Sequence, residues 1–295
     1  MGEELPEVGP WAQDKLDRLR KYLSAYTRIM AKQSWARYVY VDAFAGSGRA
    51  RVRTSSSDDP TYDIFNLGEE FRKDEEARQV LDCSPRVALD HPFTYYVFLE
   101  RDPERVEKLR SLELEYKGQG TIVIRRGDCN QYLNDKLINN PQINWEKWRA
   151  VVFLDPFGMQ VPWKTIAGLA ATKAIEVFLN FPVGMSIQRL LRRDGKFSEK
   201  QRRKLDEYLG DPGWFEVVYP KSAGLFGYTQ SKAEDTEKRL VKWYRGRLRD
   251  AFGYVSDAYL VRNSKGGHLY FLIFAGPNKT GAKIANDILG SGDRM

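Results

Sequence analysis

Five short runs of aliphatic, aromatic and β-branched residues alternate with segments of helical periodicity, and this alternation limits the chain to an α/β fold. The runs are Tyr38–Asp42, Tyr95–Leu99, Thr121–Ile124, Val151–Leu154 and Ile175–Leu179. Near-continuous apolar runs suit parallel strands buried on both faces, and strands separated by helices pair in parallel through crossovers. Residues 10–32 read as an opening helix. Pro10 suits a first helical position, and Leu16, Leu19, Leu23, Tyr26 and Met30 recur at spacings of three and four. Asp102, as N-cap, and Pro103 open a helix reaching about Tyr116. Another helix spans Trp163–Ala171. Ser231 to Glu234 has the form of a capping box that starts a long helix, with Leu240, Val241, Tyr244, Leu248 and Phe252 as its buried stripe and Gly253 as its end. Tyr254–Val261 and His268–Phe274 then flank a short glycine-containing loop, the pattern of an antiparallel hairpin. The expected architecture is a seven-stranded, mostly parallel sheet closed by a C-terminal antiparallel hairpin, with helices on both faces. Residues 1–295 read as one domain. It has a helical extension over 1–37, a polar insertion over 50–92 and a basic insertion over 182–230. Within the first insertion a helix is expected over Ile64–Leu81, broken by Ser84-Pro85.

Composition narrows the classes. Hydrophobic residues make up 42% of the chain, enough for a sizeable core. No run of about 18 apolar residues occurs, and the amino terminus lacks the order of a signal peptide. Two scattered cysteines, Cys83 and Cys129, point to a reducing, cytoplasmic setting. Two distant histidines give no metal-ligand spacing, so no metal site is expected. The formal net charge is +7 and unevenly spread. Arg189 to Lys204 holds eight basic and two acidic residues, and Lys238 to Arg249 holds six basic and no acidic ones. Clustered positive charge favours phosphate partners. The plain alternative is a solvated helix face. Phe197, Tyr208, Trp243 and Tyr244 are interleaved with these charges, and aromatic rings can stack on unpaired bases. Arg189, Arg192, Arg193, Lys196, Arg202, Arg203 and Lys204 are the candidate nucleic-acid contacts.

Polar groups fall at the carboxyl ends of successive strands: Asp42, Glu100, Asp128 and Asp155. Loops at that edge of a parallel sheet converge on one crevice. The first strand runs directly into Asp42-Ala43-Phe44-Ala45-Gly46-Ser47-Gly48, where two glycines permit a sharp turn and a close approach to a ligand. A dinucleotide fingerprint would need a third glycine where Arg51 stands. D-x-F-x-G-x-G instead resembles the first motif of class I methyltransferases, which hold S-adenosylmethionine (SAM). An ordinary strand-to-helix loop is the plainer reading. Under the resemblance, the cofactor-binding set is Asp42, Phe44, Ala45, Gly46, Gly48, Glu100, Arg101, Asp128, Cys129 and Asp155. Glu100 would accept the ribose hydroxyls, and Asp128 would meet the adenine amino group with Cys129 packing beside it. Each acid has an alternative role as the N-cap of the following helix, although Asp102 is the better cap of its own.

Asp155-Pro156-Phe157-Gly158 resembles the D/N-P-P-aromatic motif of enzymes that methylate exocyclic amino groups of bases, in the variant seen in tRNA guanine-N2 dimethyltransferases. Such an amino group shares its lone pair with the ring. A side-chain acceptor and a backbone carbonyl can hold its two N–H groups and turn the lone pair toward a methyl donor, so catalysis is positioning and preorganisation. A neighbouring aromatic ring can stack on an extruded base. Asp155, Pro156 and Phe157 are therefore the catalytic candidates. Asn180-Phe181-Pro182, of similar composition, ranks second. No Pro-Cys dipeptide occurs, which argues against a cysteine-nucleophile cytosine methyltransferase, and Cys129 is read as packing.

With these motifs in place, most of residues 11–275 resembles the three-Cys-motif partner family of methyltransferase-like proteins. The resemblance is carried by Trp11, Lys15-Leu16 and Tyr22-Leu23, by Val41 to Gly48, by Ser84-Pro85 with Ala88-Leu89, by Phe98-Leu99-Glu100 and by Leu154 to Gly158. It implies a SAM-dependent enzyme and a separate partner carrying three cysteines of radical-SAM type. Its alternatives are an adaptor without catalysis, or methylation of a small molecule or a protein.

Overall fold

The computed structural model describes residues 5–52, 80–224 and 227–290. Helix α1 (Trp11–Met30) follows Pro10 and buries the expected stripe, with Leu16, Leu19 and Leu23 nearly inaccessible. Arg18 on the same face is also buried. It is accommodated because its guanidinium lies 3.6 Å from the Tyr259 ring centroid and bonds Asp14 on the adjoining turn.

The main sheet contains β1 (Arg37–Asp42), β2 (Tyr95–Glu100), β3 (Thr121–Arg126), β4 (Trp148–Leu154), β5 (Ile175–Phe181), β6 (Tyr254–Val255), β7 (Tyr259–Arg262) and β8 (His268–Gly276). Across the sheet the order is β3-β2-β1-β4-β5-β8, with β6 and β7 both paired to the outer side of β8. The first five strands run parallel, and β8 is antiparallel to β5 and to β6 and β7. This is the mostly parallel sheet closed by antiparallel C-terminal strands that the strand pattern predicts, with eight strands in place of seven. Alternation across the pleat splits the core in two. Tyr40, Tyr96, Phe98, Val151 and Phe153 face α1 and the C-terminal helix, whereas Val39, Val41, Val97, Val152 and Val177 face the other layer.

Several boundaries differ from expectation. The strand expected over 254–261 is broken at Ser256. The Ser256 hydroxyl accepts from Phe274 N at 2.9 Å, and Ser256 N donates to Phe274 O at 2.9 Å, so a side chain completes the ladder where the backbone departs from it. The expected capping box at Ser231 does not form. Lys232 Nζ donates to Gln188 Oε1 at 2.8 Å and Leu191 O at 3.0 Å, and Ala233 N donates to Val218 O at 2.9 Å. These contacts hold the segment out of the helix, which begins at Thr236. A capping box does form at Ser198 and Gln201.

Ser84-Pro85 starts a short helix, α2 (Ser84–Leu89), because a proline in the first turn sacrifices no helical hydrogen bond. Leu81 lies in a strand, Val80–Asp82, that pairs with Arg49–Val52, which in turn pairs with Glu7–Val8. Most of the helix expected over Ile64–Leu81 lies outside the described residues.

The remaining helices are α3 (Pro103–Glu115), α4 (Trp163–Ala171), α5 (Glu199–Leu209), α6 (Trp214–Val218), α7 (Thr236–Phe252) and α8 (Lys279–Leu289). A short helical stretch over 129–138 follows β3. The basic insertion contains α5, α6 and a small hairpin of Lys221–Gly224 with Gly227–Gln230. Among the described residues, no helix is long and apolar enough to cross a membrane, and no cluster of His, Cys, Asp and Glu could hold a metal.

Candidate functional site

The ends of β1, β2, β3, β4 and β5 meet at one edge, and the glycine turn is fixed there from both sides. Ala43 N donates to Phe153 O and Ala45 N to Leu99 O, each at 3.0 Å, so the chain stays in line with its neighbours beyond β1. Gly46 and Gly48 then adopt φ of +64° and +80°, which glycine tolerates. Their surroundings differ. A Cβ at Gly46 would meet open space, while one at Gly48 would stand 3.3 Å from Leu112. Gly46 therefore presents bare backbone to the crevice, and Gly48 allows the turn to pack on α3. After Gly48 the chain enters the Arg49–Val52 strand, so no helix N-terminus backs the turn.

Asp42, a candidate cofactor ligand, lies beneath the turn. It has no exposed surface. Its oxygens accept from Phe44 N at 3.2 Å and Tyr40 OH at 3.3 Å. Burial pushes its carboxyl up to about 7, against the opposing pull of hydrogen bonds from Ser84, Phe44 and Tyr40. Asp42 thus shapes the turn from beneath. Ala45 is buried as well and can offer only backbone to a ligand, while Phe44 is half-buried.

Glu100 stands at the rim. Its Oε2 accepts from Gly46 N at 2.9 Å, and its Oε1 accepts from Arg101 N at 2.7 Å and Asp102 N at 2.9 Å. The carboxylate ties the end of β2 to the glycine turn and, with two lone-pair directions on each oxygen, retains acceptor capacity. Asp102 caps α3, and Arg101 is exposed. Asp128 is exposed and caps the helical stretch after β3, its Oδ1 accepting from Asn130 N at 2.8 Å and Gln131 N at 3.2 Å. Gly127 beside it has φ of +151° and open space where a Cβ would lie. Cys129 is buried, and burial followed by the Asp128 charge pushes its thiol up to about 12, which leaves it without thiolate character.

Asp155 follows β4 one residue beyond the paired Leu154 and Leu179, so it stands beside Asn180 on β5. One carboxylate oxygen accepts from Asn180 Nδ2 and the other from Lys15 Nζ. Asn180, ranked as a rival to Asp155 in sequence, is instead its partner. The Asp155 side chain is 26% exposed and that of Lys15 11%. Burial lowers the affinity of Lys15 for its proton, but the Asp155 carboxylate, the Tyr270 hydroxyl and the hydrogen bond to Asp155 outweigh it and hold the ammonium charged. Lys15 Nζ also lies 5.7 Å from the Tyr270 ring centroid and 6.0 Å from that of Phe153. Its only signal in the sequence was its place beside Leu16 in the family resemblance. Pro156 is buried, whereas Phe157 is 67% exposed. The loop is held by Phe157 N donating to Gln160 Oε1 and by Asn130 Nδ2 donating to Gln160 O, both at 2.8 Å. These bonds join it to the Asp128 turn.

The basic insertion reaches this edge where Gly158 faces Ser186. A Cβ at Gly158 would lie 3.0 Å from Ser186 Oγ. Arg189, Arg192, Arg193, Lys196, Arg203 and Lys204 are exposed. Arg202 is not a free contact. Its guanidinium sits 4.4 Å from the Phe215 ring centroid and 5.0 Å from that of Trp214, and it pairs with Asp206. The interleaved aromatics are likewise internal. Tyr208 and Tyr244 are buried and stack on Phe181, the latter at 4.3 Å between centroids, while Phe197 packs against Trp214, Phe215 and Tyr219. Trp243 is half-buried beneath Arg247. Tyr208 and Tyr244 lie in the second core layer, and Phe197 and Trp243 pack partly buried against it.

No family model and no curated protein matches the chain. Among solved structures it is similar to a Legionella pneumophila protein at 11% identity, over 94% of this chain and 91% of that one, with a TM-score of 0.48. It is also similar to a putative methyltransferase from Escherichia coli (15% identity, 61% and 75% covered, TM-score 0.35). A third is the O-methyltransferase TomG from Streptomyces achromogenes in complex with SAM (13% identity, 88% and 80% covered, TM-score 0.41). Likenesses at this level say nothing about substrate.

Proposed function

We propose that this protein is a SAM-dependent methyltransferase that acts in the cytoplasm on an exocyclic amino group of a base in RNA or DNA. The observation that carries the reading is Asp155. It is a part-exposed carboxylate at the edge of a central strand, braced by Lys15 and Asn180, with the exposed Phe157 ring two residues on. The open backbone at Gly46 and Gly127 and the rim carboxylates of Glu100 and Asp128 fit a nucleoside-bearing cofactor. Glu100 would hold its ribose and Asp128 its adenine. When bound, SAM supplies an electrophilic methyl group.

The chain's own part is positioning. Asp155 and the Pro156 carbonyl accept the two N–H groups of the amino nitrogen, and Phe157 stacks on the base. Asp155 would take up the proton that the amino nitrogen releases on accepting the methyl group. The exposed arginines and lysines of the basic insertion would carry phosphate contacts. Calorimetry with SAM tests the cofactor half. Wild type should bind, Glu100→Ala should not, and Asp155→Ala should bind while losing turnover. A wild type with no SAM affinity sinks the reading.

A second reading is favoured by Glu100, whose carboxylate already accepts three backbone amides. In that reading the chain is a three-Cys-motif partner that keeps the fold as an adaptor for a cysteine-cluster protein of radical-SAM type. Retrieval of such a protein by wild type and Asp155→Ala alike, with no methyl transfer by either, would decide for it.

A further inference from the structure

We infer that Lys15, on the N-terminal helix, is a positioning residue that pairs with Asp155 and fixes the direction of its carboxylate toward the acceptor nitrogen. The inference rests on the methyl-transfer reading of Asp155 given above.

The geometry carries it. Lys15 comes from α1, outside the sheet, and buries its ammonium against Phe153 and Tyr270 to reach one oxygen of Asp155. Asn180, 1% exposed, takes the other oxygen, and its own Oδ1 finds no partner among the described residues. The carboxylate is thereby held at both oxygens from the protein side, and its remaining lone pairs are left for the crevice. A buried ion pair of this kind is weak evidence for a stabilising role, since well-packed apolar residues often serve stability as well or better. Several titratable groups face the pair. They are Tyr270 from β8, Cys83 ahead of α2, and Asp42 and Tyr40 from β1. Among the described residues, Lys15 is the cation paired with Asp155.

The role makes Lys15 part of the reacting assembly without contact to substrate. Loss of the ammonium removes the opposite charge beside Asp155, and a protonated carboxyl is a weaker acceptor for the one N–H assigned to it. Removal of Asn180's amide would free the carboxylate to rotate but leave its charge. The two substitutions should therefore differ in their pH dependence, which a purely structural role would not produce.

The test compares wild type, K15M, K15A and N180A with SAM carrying a labelled methyl group and total cellular RNA or DNA as acceptor. K15M should bind SAM within about twofold of wild type but lose about 100-fold in kcat at pH 7, as expected for a misplaced catalytic group. Its acid limb should move up by about one to three pH units, the shift an adjacent opposite charge commonly exerts. N180A should lose kcat without moving that limb. Ethylammonium should restore part of the activity of K15A, and ethanol should not. A wild-type kcat and pH profile in K15M would overturn the inference.

A readout without turnover keeps it separate from the functional reading. The ¹³C carboxyl resonance of Asp155, assigned by its absence in D155N, should titrate at higher pH in K15M than in wild type. Coincident titrations overturn the role of Lys15 even if methyl transfer is found. A shifted titration alongside no methyl transfer by wild type overturns the functional reading alone. Should K15M not fold, K15Q carries the same titration.

Discussion

Replacing Glu176 by glutamine should remove a pH-dependent loss of stability that the wild type carries between pH 5 and 8. Glu176 lies in β5, buried, with its Oε2 accepting from Tyr22 OH at 2.6 Å. Burial lifts its carboxyl from an ordinary 4.5 to about 7, and the Tyr22 hydroxyl and the Arg149 charge offset only part of that. The folded state therefore holds the proton more tightly than the unfolded chain does. The sign follows: the stabilisation from the protonated form is complete below the unfolded value near 4.5 and is lost as pH rises through about 7. At roughly 1.4 kcal/mol per pH unit, the loss from pH 5 to pH 7 and above is at most about 3 kcal/mol. Partial relaxation of the core brings an expected value nearer 1–2 kcal/mol. Glutamine keeps an acceptor for Tyr22 and cannot ionise. Urea unfolding at half-unit intervals should thus show E176Q gaining on wild type steadily from pH 5 to 7.5 and holding its margin beyond. Parallel stability curves for the two proteins would refute the claim that this carboxyl is neutral in the fold.

Asp42→Asn should behave in the same sense, because burial raises its carboxyl to about 7 as well, and the measurement is again the pH dependence of urea midpoints. Gly48→Ala should cost about 1–2 kcal/mol from the left-handed backbone alone, before its contact with Leu112 is counted, as read by thermal or urea unfolding. Phe157→Ala should leave stability within about 0.5 kcal/mol, since the ring is largely exposed. It should raise the apparent KM for nucleic acid about tenfold if the ring contributes a base stack of roughly 1–3 kcal/mol. Arg202→Ala should destabilise by about 1 kcal/mol through its lost stacking on Trp214 and Phe215, whereas Arg193→Glu should spare stability and flatten the salt dependence of nucleic-acid binding.

The strands of the sheet were legible because each is buried on both faces and must be apolar almost throughout. The five parallel strands lie where the apolar runs lie. The hairpin was legible as a unit, but its break at Ser256 was not, because a serine in a strand carries no mark that its hydroxyl will stand in for a backbone group. Helix α8 escaped notice for a related reason. Its buried face is Gly281, Ala282, Ala285 and Leu289, three of them small, and a Cβ at Gly281 would come within 2.7 Å of Glu176 Oε1. A stripe of small residues has little hydrophobic contrast. Tyr244 shows a conflict that sequence alone could have settled. It was counted both in the buried stripe of α7 and among the rings available to bases, and one ring cannot do both. Burial wins, because stacking on Phe181 removes the whole ring from water. The acids at the strand ends were legible as positions, but their states were not. Those depend on partners distant in the chain: Ser84 for Asp42, Gly46 for Glu100, Lys15 for Asp155.

Asp42 and Asp155 differ first in burial and then in the partners that burial leaves them. The two acids end adjacent strands, with Asp42 in register with Phe153 and Asp155 two residues beyond it. Two carboxylates at that proximity raise each other's affinity for protons, and neither burial nor neutral donors can keep both charged. Lys15 pairs with the part-exposed acid at the crevice, while Asp42, buried beneath the turn, has only hydroxyl and amide donors and its carboxyl is pushed up to about 7. Environments that drive two acids apart are how one site acquires distinct roles for chemically similar groups. The cation comes from α1, which is held on the sheet by Leu16, Leu19 and Leu23 packing against the Tyr40 and Phe153 face. The carboxyl end of β4 is therefore completed only when the first helix of the chain has docked. Helix α1 thus supplies one of the two side chains that hold the Asp155 carboxylate, and Asn180 of β5 supplies the other.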